Sequence, residues 1–231
     1  MAEFDRFAQD YDEIHNRNIA LSGEDTTFFA RQKLAVVADC LARLKRPADG
    51  LTFLDVGCGT GKHEELLEEF FPGAASLSFD PSLESLNVAA SRAIARCRFV
   101  CAEGEAIPFL ADSADVALCV CVLHHMSDSA AQAMLSEVKR VLRSGGLLFV
   151  FEHNPLNPLT RRAVNTCEFD RDARLLGPGK VVEWCEAAGL ECVRRQYTVF
   201  FPHALRALRF LEPKLGWLPL GAQYMILCRK T

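Results

Sequence analysis

Leu54-Asp55-Val56-Gly57-Cys58-Gly59-Thr60-Gly61 is the stretch on which the fold turns. It closes an apolar run over 51–56 that reads as a buried strand, and residues 62–71 behind it carry a helical pattern. Glycine is needed where the backbone takes positive φ or must approach a ligand with no Cβ in the way. Three glycines at alternate positions after a strand therefore describe a turn with something lying flat on it. Dinucleotide-binding turns use G-x-G-x-x-G and seat a pyrophosphate on the helix N-terminus. The spacing here is G-x-G-x-G, with Asp55 just ahead of the first glycine. That spacing opposes a dinucleotide-dependent oxidoreductase.

Strands alternate with helices along the chain. Residues 1–23 are polar with isolated aromatics, among them Phe7 and Tyr11. A helix is predicted over 25–45, where Ala30, Leu34, Val37, Leu41 and Leu44 share one face; Pro47 and Gly50 end it. Further strands are predicted at 75–79, 98–101, 115–122 and 147–152, with helices at 82–96 and 128–142 between them. The 115–122 run is almost wholly apolar, as expected of a strand covered on both faces. After a polar stretch to Asp172, a helix is predicted at 181–188, a strand at 190–199, a helix at 203–211 and a closing strand at 222–229. The pattern predicts an α/β, doubly wound, Rossmann-like seven-stranded sheet, mostly parallel, with a C-terminal antiparallel hairpin.

Composition narrows the class. The chain has 231 residues, 50% hydrophobic and 24% charged, with a net charge of −4. One globular domain is the natural expectation, and nothing suggests a nucleic-acid partner. No apolar run approaches the roughly 20 residues of a bilayer-spanning helix, and the acidic N-terminus lacks a signal-peptide core. The ten cysteines form no C-x-x-C pair, and no four ligands show zinc-site spacing. Scattered thiols in a reducing cytoplasm, without a metal, are the expectation.

Five blocks carry a resemblance. LDVGCGTG (54–61), FDPS (79–82), AEGEAIPF (102–109), DVALCVCVLHHMSD (115–128) and EVKRVLRSGGLLFVFE (137–152) stand in order at the expected strand ends. Together they resemble the class I S-adenosylmethionine-dependent methyltransferases, and most closely the group called methyltransferase type 11. The resemblance implies S-adenosyl-L-methionine as cofactor and a small or medium-sized methyl acceptor with an oxygen, nitrogen or carbon nucleophile. It divides a single domain over 1–231 into a helical cap at 1–48, a cofactor half at 50–152 and an acceptor side at 153–231. Glu103 stands where the family has aspartate, and Arg143-Ser144 where it has Lys-Pro.

Each block then has an expected task. Gly57, Cys58, Gly59 and Gly61 let backbone amides approach the methionine and ribose parts, while Asp55 offsets the cofactor's positive charge. Asp80, followed by Pro81, accepts both ribose hydroxyls, or else caps the helix that Asp80-Pro81-Ser82 begins. Glu103 and Gly104 form the adenine edge, unless Glu103 is a solvated loop acid. Cys119, near the end of the fourth strand, is placed with the cofactor group. Tyr11 resembles the segment that folds over the cofactor, or it anchors that segment by packing.

The acceptor side offers histidines. His124 and His125 follow the fourth strand and His153 the fifth, at the carboxyl edge where open sheets bind ligands. Transfer from a sulfonium needs in-line alignment, and a base only if the acceptor must lose a proton. His153 and His124 are the expected catalytic pair, with Glu152 and Asn154 orienting His153. His15, His63 and His203 have weaker claims by position. The apolar face of 203–215 packs on the domain, or else walls the acceptor pocket as a lid or touches a membrane surface. A cofactor-binding partner subunit without catalysis is the rival reading.

Overall fold

The computed structural model describes residues 3–170 and 173–231. Seven strands form one sheet: β1 (Thr52–Val56), β2 (Ala75–Asp80), β3 (Cys97–Cys101), β4 (Ala114–Val120), β5 (Leu142–His153), β6 (Leu190–Thr198) and β7 (Gln223–Lys230). Their order is β3-β2-β1-β4-β5-β7-β6. The first five pair in parallel, and β7 runs antiparallel to both β5 and β6. The expected architecture is therefore present, with β7 inserted between β5 and β6.

Period-two alternation builds both faces of this sheet. On β5, Leu148 and Val150 join a core that includes Met134, Leu135 and Val138 of α5 (Asp128–Val141) and Trp184 and Cys185 of α7 (Pro178–Ala187). Leu147, Phe149 and Phe151 join the opposite core, with Leu34, Val37 and Leu41 of α2 (Thr26–Arg43) and Leu66 and Leu67 of α3 (Glu64–Phe70). A strand apolar on both faces is what a sheet sandwiched between helices requires.

Several boundaries moved. The helix read over 82–96 is α4 (Leu83–Ser91), and positive φ at Ala93 and Arg96 marks its end. The β4 strand stops at Val120 because Cys121 turns to φ +56°, a costly conformation for a residue with a Cβ. The polar N-terminal segment folds into a 3₁₀ turn (Glu3–Phe7) and α1 (Tyr11–Ile19). The stretch after β5 contains α6 (Pro158–Thr166), which the sequence reading missed; the end of that stretch, residues 171–172, lies outside the described residues. Asn157 Oδ1 accepts from Leu159 N and Thr160 N, and Pro158 occupies the first turn, so the polar stretch holds a helix cap at Asn157-Pro158.

The 203–211 element is a 3₁₀ helix with no buried residue. Leu205 is 48% and Leu208 39% exposed, so this apolar face does not pack on the core. Instead Arg209 anchors it, donating to Glu24 Oε1 at 2.6 Å and lying over the Phe28 ring. Leu205 and Leu208 do not line the cavity described below; Val199, Phe200 and Pro202, just before the element, do. Three thiols are not scattered: Cys185 of α7, Cys192 of β6 and Cys228 of β7 meet where that helix packs on those strands, whereas Cys101 is exposed.

Candidate functional site

A cavity of about 820 Å³ opens over the carboxyl ends of β1, β2, β4 and β5. Its floor at one end is the glycine turn, and only part of that turn faces it. Gly57 N and Cys58 N both donate to Phe79 O, Gly59 N donates to Asp80 Oδ2 at 2.9 Å, and Gly61 N donates to Cys58 O. These amides hold the turn against β2, so the expectation that they reach toward a ligand is corrected. The glycines are needed for three different reasons. A Cβ on Gly57 would sit 2.7 Å from Val122 Cγ2, and one on Gly61 would sit 3.0 Å from Ala89 of α4. At Gly59, with φ +52°, a Cβ would meet nothing within 4 Å and would project into open space at the cavity floor.

Asp80 is 8% exposed and braces this floor. Oδ2 accepts from Gly59 N, and Oδ1 accepts from Ser82 N at 2.8 Å. The helix cap is Ser82, whose Oγ accepts from Ser85 N, so Asp80 is not the cap. An ionised carboxylate has about four acceptor sites, and two remain for hydroxyls. Cys58, Pro81, Glu103 and Gly104 line the same end; Gly104 is buried against Met134, and Glu103 is exposed. The two free acceptor sites of Asp80, beside the open space over Gly59, fit a vicinal diol such as that of a ribose.

Three expected contacts fall elsewhere. Gly61 packs the end of the turn against Ala89 of α4. Cys119 is fully buried within β4, beside Val56 and Val150, and does not line the cavity. Asp55 lies under the turn, not in the cavity, 3.3 Å from His63 Nδ1 and beside Glu64. Burial pushes both the Asp55 and Glu64 carboxyls up to about 8, and their proximity helps keep Glu64 protonated. Glu64 Oε1 accepts from Ser78 Oγ at 2.5 Å. Acids with raised folded pKa values stabilise the fold fully below their unfolded values near 4, and that stability is lost as pH rises to about 8. Melting temperatures of the wild type should therefore fall relative to Glu64→Gln between pH 5 and pH 8. A constant difference across that range would show that folding does not raise the Glu64 pKa.

The N-terminal cap closes one side. Asp5 accepts from Ser82 Oγ at 2.7 Å, and Asp12 pairs with Lys62 at 2.7 Å. Tyr11 lines the cavity and stacks on Phe169 with ring centroids 4.9 Å apart; Phe7, Cys167 and Phe169 form a small apolar cluster that Tyr11 and Ile14 join. Burial raises the Tyr11 hydroxyl far above its usual range, so it stays protonated.

The histidines gather at the other end. His124, His125, His153, His15 and His63 all line the cavity, while His203 pairs with Glu24 at a distance from it. His124 Nδ1 is 2.6 Å from Glu152 Oε2, whose other oxygen accepts from Leu123 N. Asp170 Oδ1 lies 3.6 Å from His124 Nε2 and 3.4 Å from His125 Nε2. Burial alone would lower the His124 pKa, but the Glu152 and Asp170 carboxylates overcome it and push it up to about 10. Burial lowers His153 to about 3, so its imidazole is neutral. Its ring centroid is 5.2 Å from that of His124. Glu152 holds His124, not His153, because successive strand residues point to opposite faces. Asn154 is occupied too: its Nδ2 donates to Gly221 O and its Oδ1 accepts from Leu156 N. The expected orienting role of both is corrected. Lys33, buried with its amine pKa lowered by that burial, and Asp170 also face the cavity, and neither was anticipated.

Comparison with known proteins agrees with this geometry. Residues 54–150 match the family model described as a methyltransferase domain. A 116-residue stretch is 37% identical to thiol S-methyltransferase TMT1B of Rattus norvegicus, covering 48% of this chain and 46% of that protein. Ubiquinone biosynthesis O-methyltransferase of Parvibaculum lavamentivorans is 34% identical over 112 residues, 47% of this chain and 43% of that protein. The chain thus spans less than half the length of these curated relatives. A structure from Thermotoga maritima, titled an S-adenosylmethionine-dependent methyltransferase and possible histamine N-methyltransferase, superposes with TM-score 0.67 at 21% identity. It covers 99% of this chain and 98% of its own, and shows the fold alone. Residues 54–150, within the seven-stranded sheet, thus form a methyltransferase domain of the class I S-adenosylmethionine-dependent kind, whose cofactor is S-adenosyl-L-methionine.

Proposed function

We propose that this chain transfers the methyl group of S-adenosyl-L-methionine to a small or medium-sized organic acceptor bearing a thiol, a hydroxyl or another neutral nucleophile. The observation that carries the reading is the single cavity joining the Gly59–Asp80–Glu103 floor to the histidine end. Its volume of about 820 Å³ lies high in the roughly 300–1,000 Å³ span of small-molecule pockets. The names of the two curated relatives support a thiol or hydroxyl acceptor and add sulfur to the oxygen, nitrogen and carbon nucleophiles inferred from sequence.

When bound, the cofactor supplies an electrophilic methyl on a sulfonium. The protein's part is alignment, dryness and proton handling. Asp80 holds the ribose and Glu103 the adenine edge. The α1 cap, through Tyr11 and the Phe7–Phe169 cluster, keeps water away from the reacting atoms. His153, neutral and facing the cavity, accepts a proton at a ring nitrogen if the acceptor must lose one. His124, pinned between Glu152 and Asp170, carries positive charge and steadies an anionic acceptor.

Incubating the protein with methyl-labelled cofactor and a panel of alkyl thiols, aryl thiols and phenols tests the proposal. Label should pass into organic-extractable product for at least one class. Tight cofactor binding with no transfer to any of them would instead favour a non-catalytic partner subunit.

A further inference from the structure

Three side chains with metal-binding atoms converge on the cavity wall although the sequence keeps them apart. His124 and His125 follow β4; Asp170 arrives after α6. The three ligand atoms lie within 4.8 Å of one another. His124 Nε2 and Asp170 Oδ1 are 3.6 Å apart, and His125 Nε2 and Asp170 Oδ1 are 3.4 Å apart. Two ligands on a tetrahedral ion with bonds of about 2.1 Å stand about 3.4 Å apart. The 3.6 Å separation is too long for a hydrogen bond. Indeed His124 Nε2 is buried and has no hydrogen-bond partner among the described residues.

The surroundings match as well. His124 Nδ1 is held by Glu152 at 2.6 Å, and Glu152 is fixed in turn by Leu123 N. A carboxylate on the far nitrogen is the arrangement that orients a metal-bound imidazole.

We propose that His124 Nε2, His125 Nε2 and Asp170 Oδ1 form a binding site for one divalent transition-metal ion, zinc or a close neighbour in the first row. Two imidazoles and one carboxylate, with no thiolate, suit zinc, cobalt, nickel or iron(II), whereas magnesium and calcium prefer all-oxygen sets. Three protein ligands leave a tetrahedral ion one further position, and all three residues line the cavity, so that position faces the acceptor end. A water, or the hydroxyl or thiol of an acceptor, can fill it. The ion takes the place of a proton on His124 Nε2, so affinity falls as pH is lowered. The site goes beyond the methyl-transfer reading and does not depend on it.

The test is a titration of the chelator-treated full chain with cobalt(II), followed by visible absorption, and with zinc by calorimetry. S-adenosylhomocysteine binding is measured on every sample, so failure of the cofactor site is told apart from failure of the metal site. The wild type should bind an equimolar amount of cobalt, with the ligand-field bands of a four- or five-coordinate ion that zinc displaces. Asp170→Asn and the more exposed His125→Ala should lose those bands while retaining S-adenosylhomocysteine binding. Glu152→Gln should weaken affinity about 10–100-fold. Wild-type protein that binds S-adenosylhomocysteine but neither ion would overturn the proposal. So would ion binding left unchanged in both Asp170→Asn and His125→Ala.

Discussion

Gly59→Val abolishes binding of S-adenosylmethionine and of S-adenosylhomocysteine, while the protein remains folded. Both halves of this expected result follow from geometry. Gly59 stands at φ +52° with no atom within 4 Å of its Cβ position, so the added side chain meets open cavity rather than core. The left-handed backbone strains a β-branched residue by a few kcal/mol at most, of the order of 1–3. That cost is local and leaves the sheet intact, but the side chain fills the open space at the cavity floor where the cofactor is proposed to lie. Gly57→Val should behave differently. Its Cβ collides with Val122 at 2.7 Å, so the protein itself is destabilised. Asp80→Ala is the graded case, costing about 1–3 kcal/mol in cofactor affinity, the scale of hydrogen bonds to a charged acceptor. Calorimetry paired with thermal melting separates the three. Cofactor binding by Gly59→Val within tenfold of the wild type would show that the cofactor lies elsewhere.

His153→Ala lowers turnover by about 10²–10⁴-fold with cofactor affinity unchanged, if acceptor deprotonation is catalysed. The drop belongs at the lower end, because burial depresses the His153 pKa to about 3 and makes it a weak base. The same depression predicts that turnover carries no His153 acid limb near pH 6.5, since the ring is already neutral well below that. Single-turnover rates at saturating acceptor, from pH 5 to pH 8, check both points. Full activity in His153→Ala would leave alignment as the source of acceleration. An acid limb near pH 6.5 that disappears only in this variant would contradict its burial as a neutral ring.

The strands, their mostly parallel sheet and the glycine turn were legible because each rests on local pattern, whereas the order of the strands is set by tertiary pairing. The turn's role was less so. Spacing announces that Gly57, Gly59 and Gly61 must be glycine, but only packing reveals that two of them make room for Val122 and Ala89. Cys119 was misplaced for a similar reason. Strand parity puts it in the core, and the cavity position belongs to Cys121, which leaves the strand at φ +56°. Glu152 was assigned to its neighbour His153, whereas the pleat turns it to His124 across two adjacent strands. Asp170 had no readable signal, since no sequence pattern links it to the β4 edge. Its neighbour α6 did have one, in Asn157-Pro158.

On the proposed reading, S-adenosylmethionine lies over Gly59, beside Asp80 and Glu103. Calorimetric titration of the wild-type chain with S-adenosylhomocysteine tests it most directly. Saturable, equimolar binding that disappears in Gly59→Val is the predicted result. Absence of heat with either S-adenosylhomocysteine or S-adenosylmethionine at millimolar concentration would contradict it.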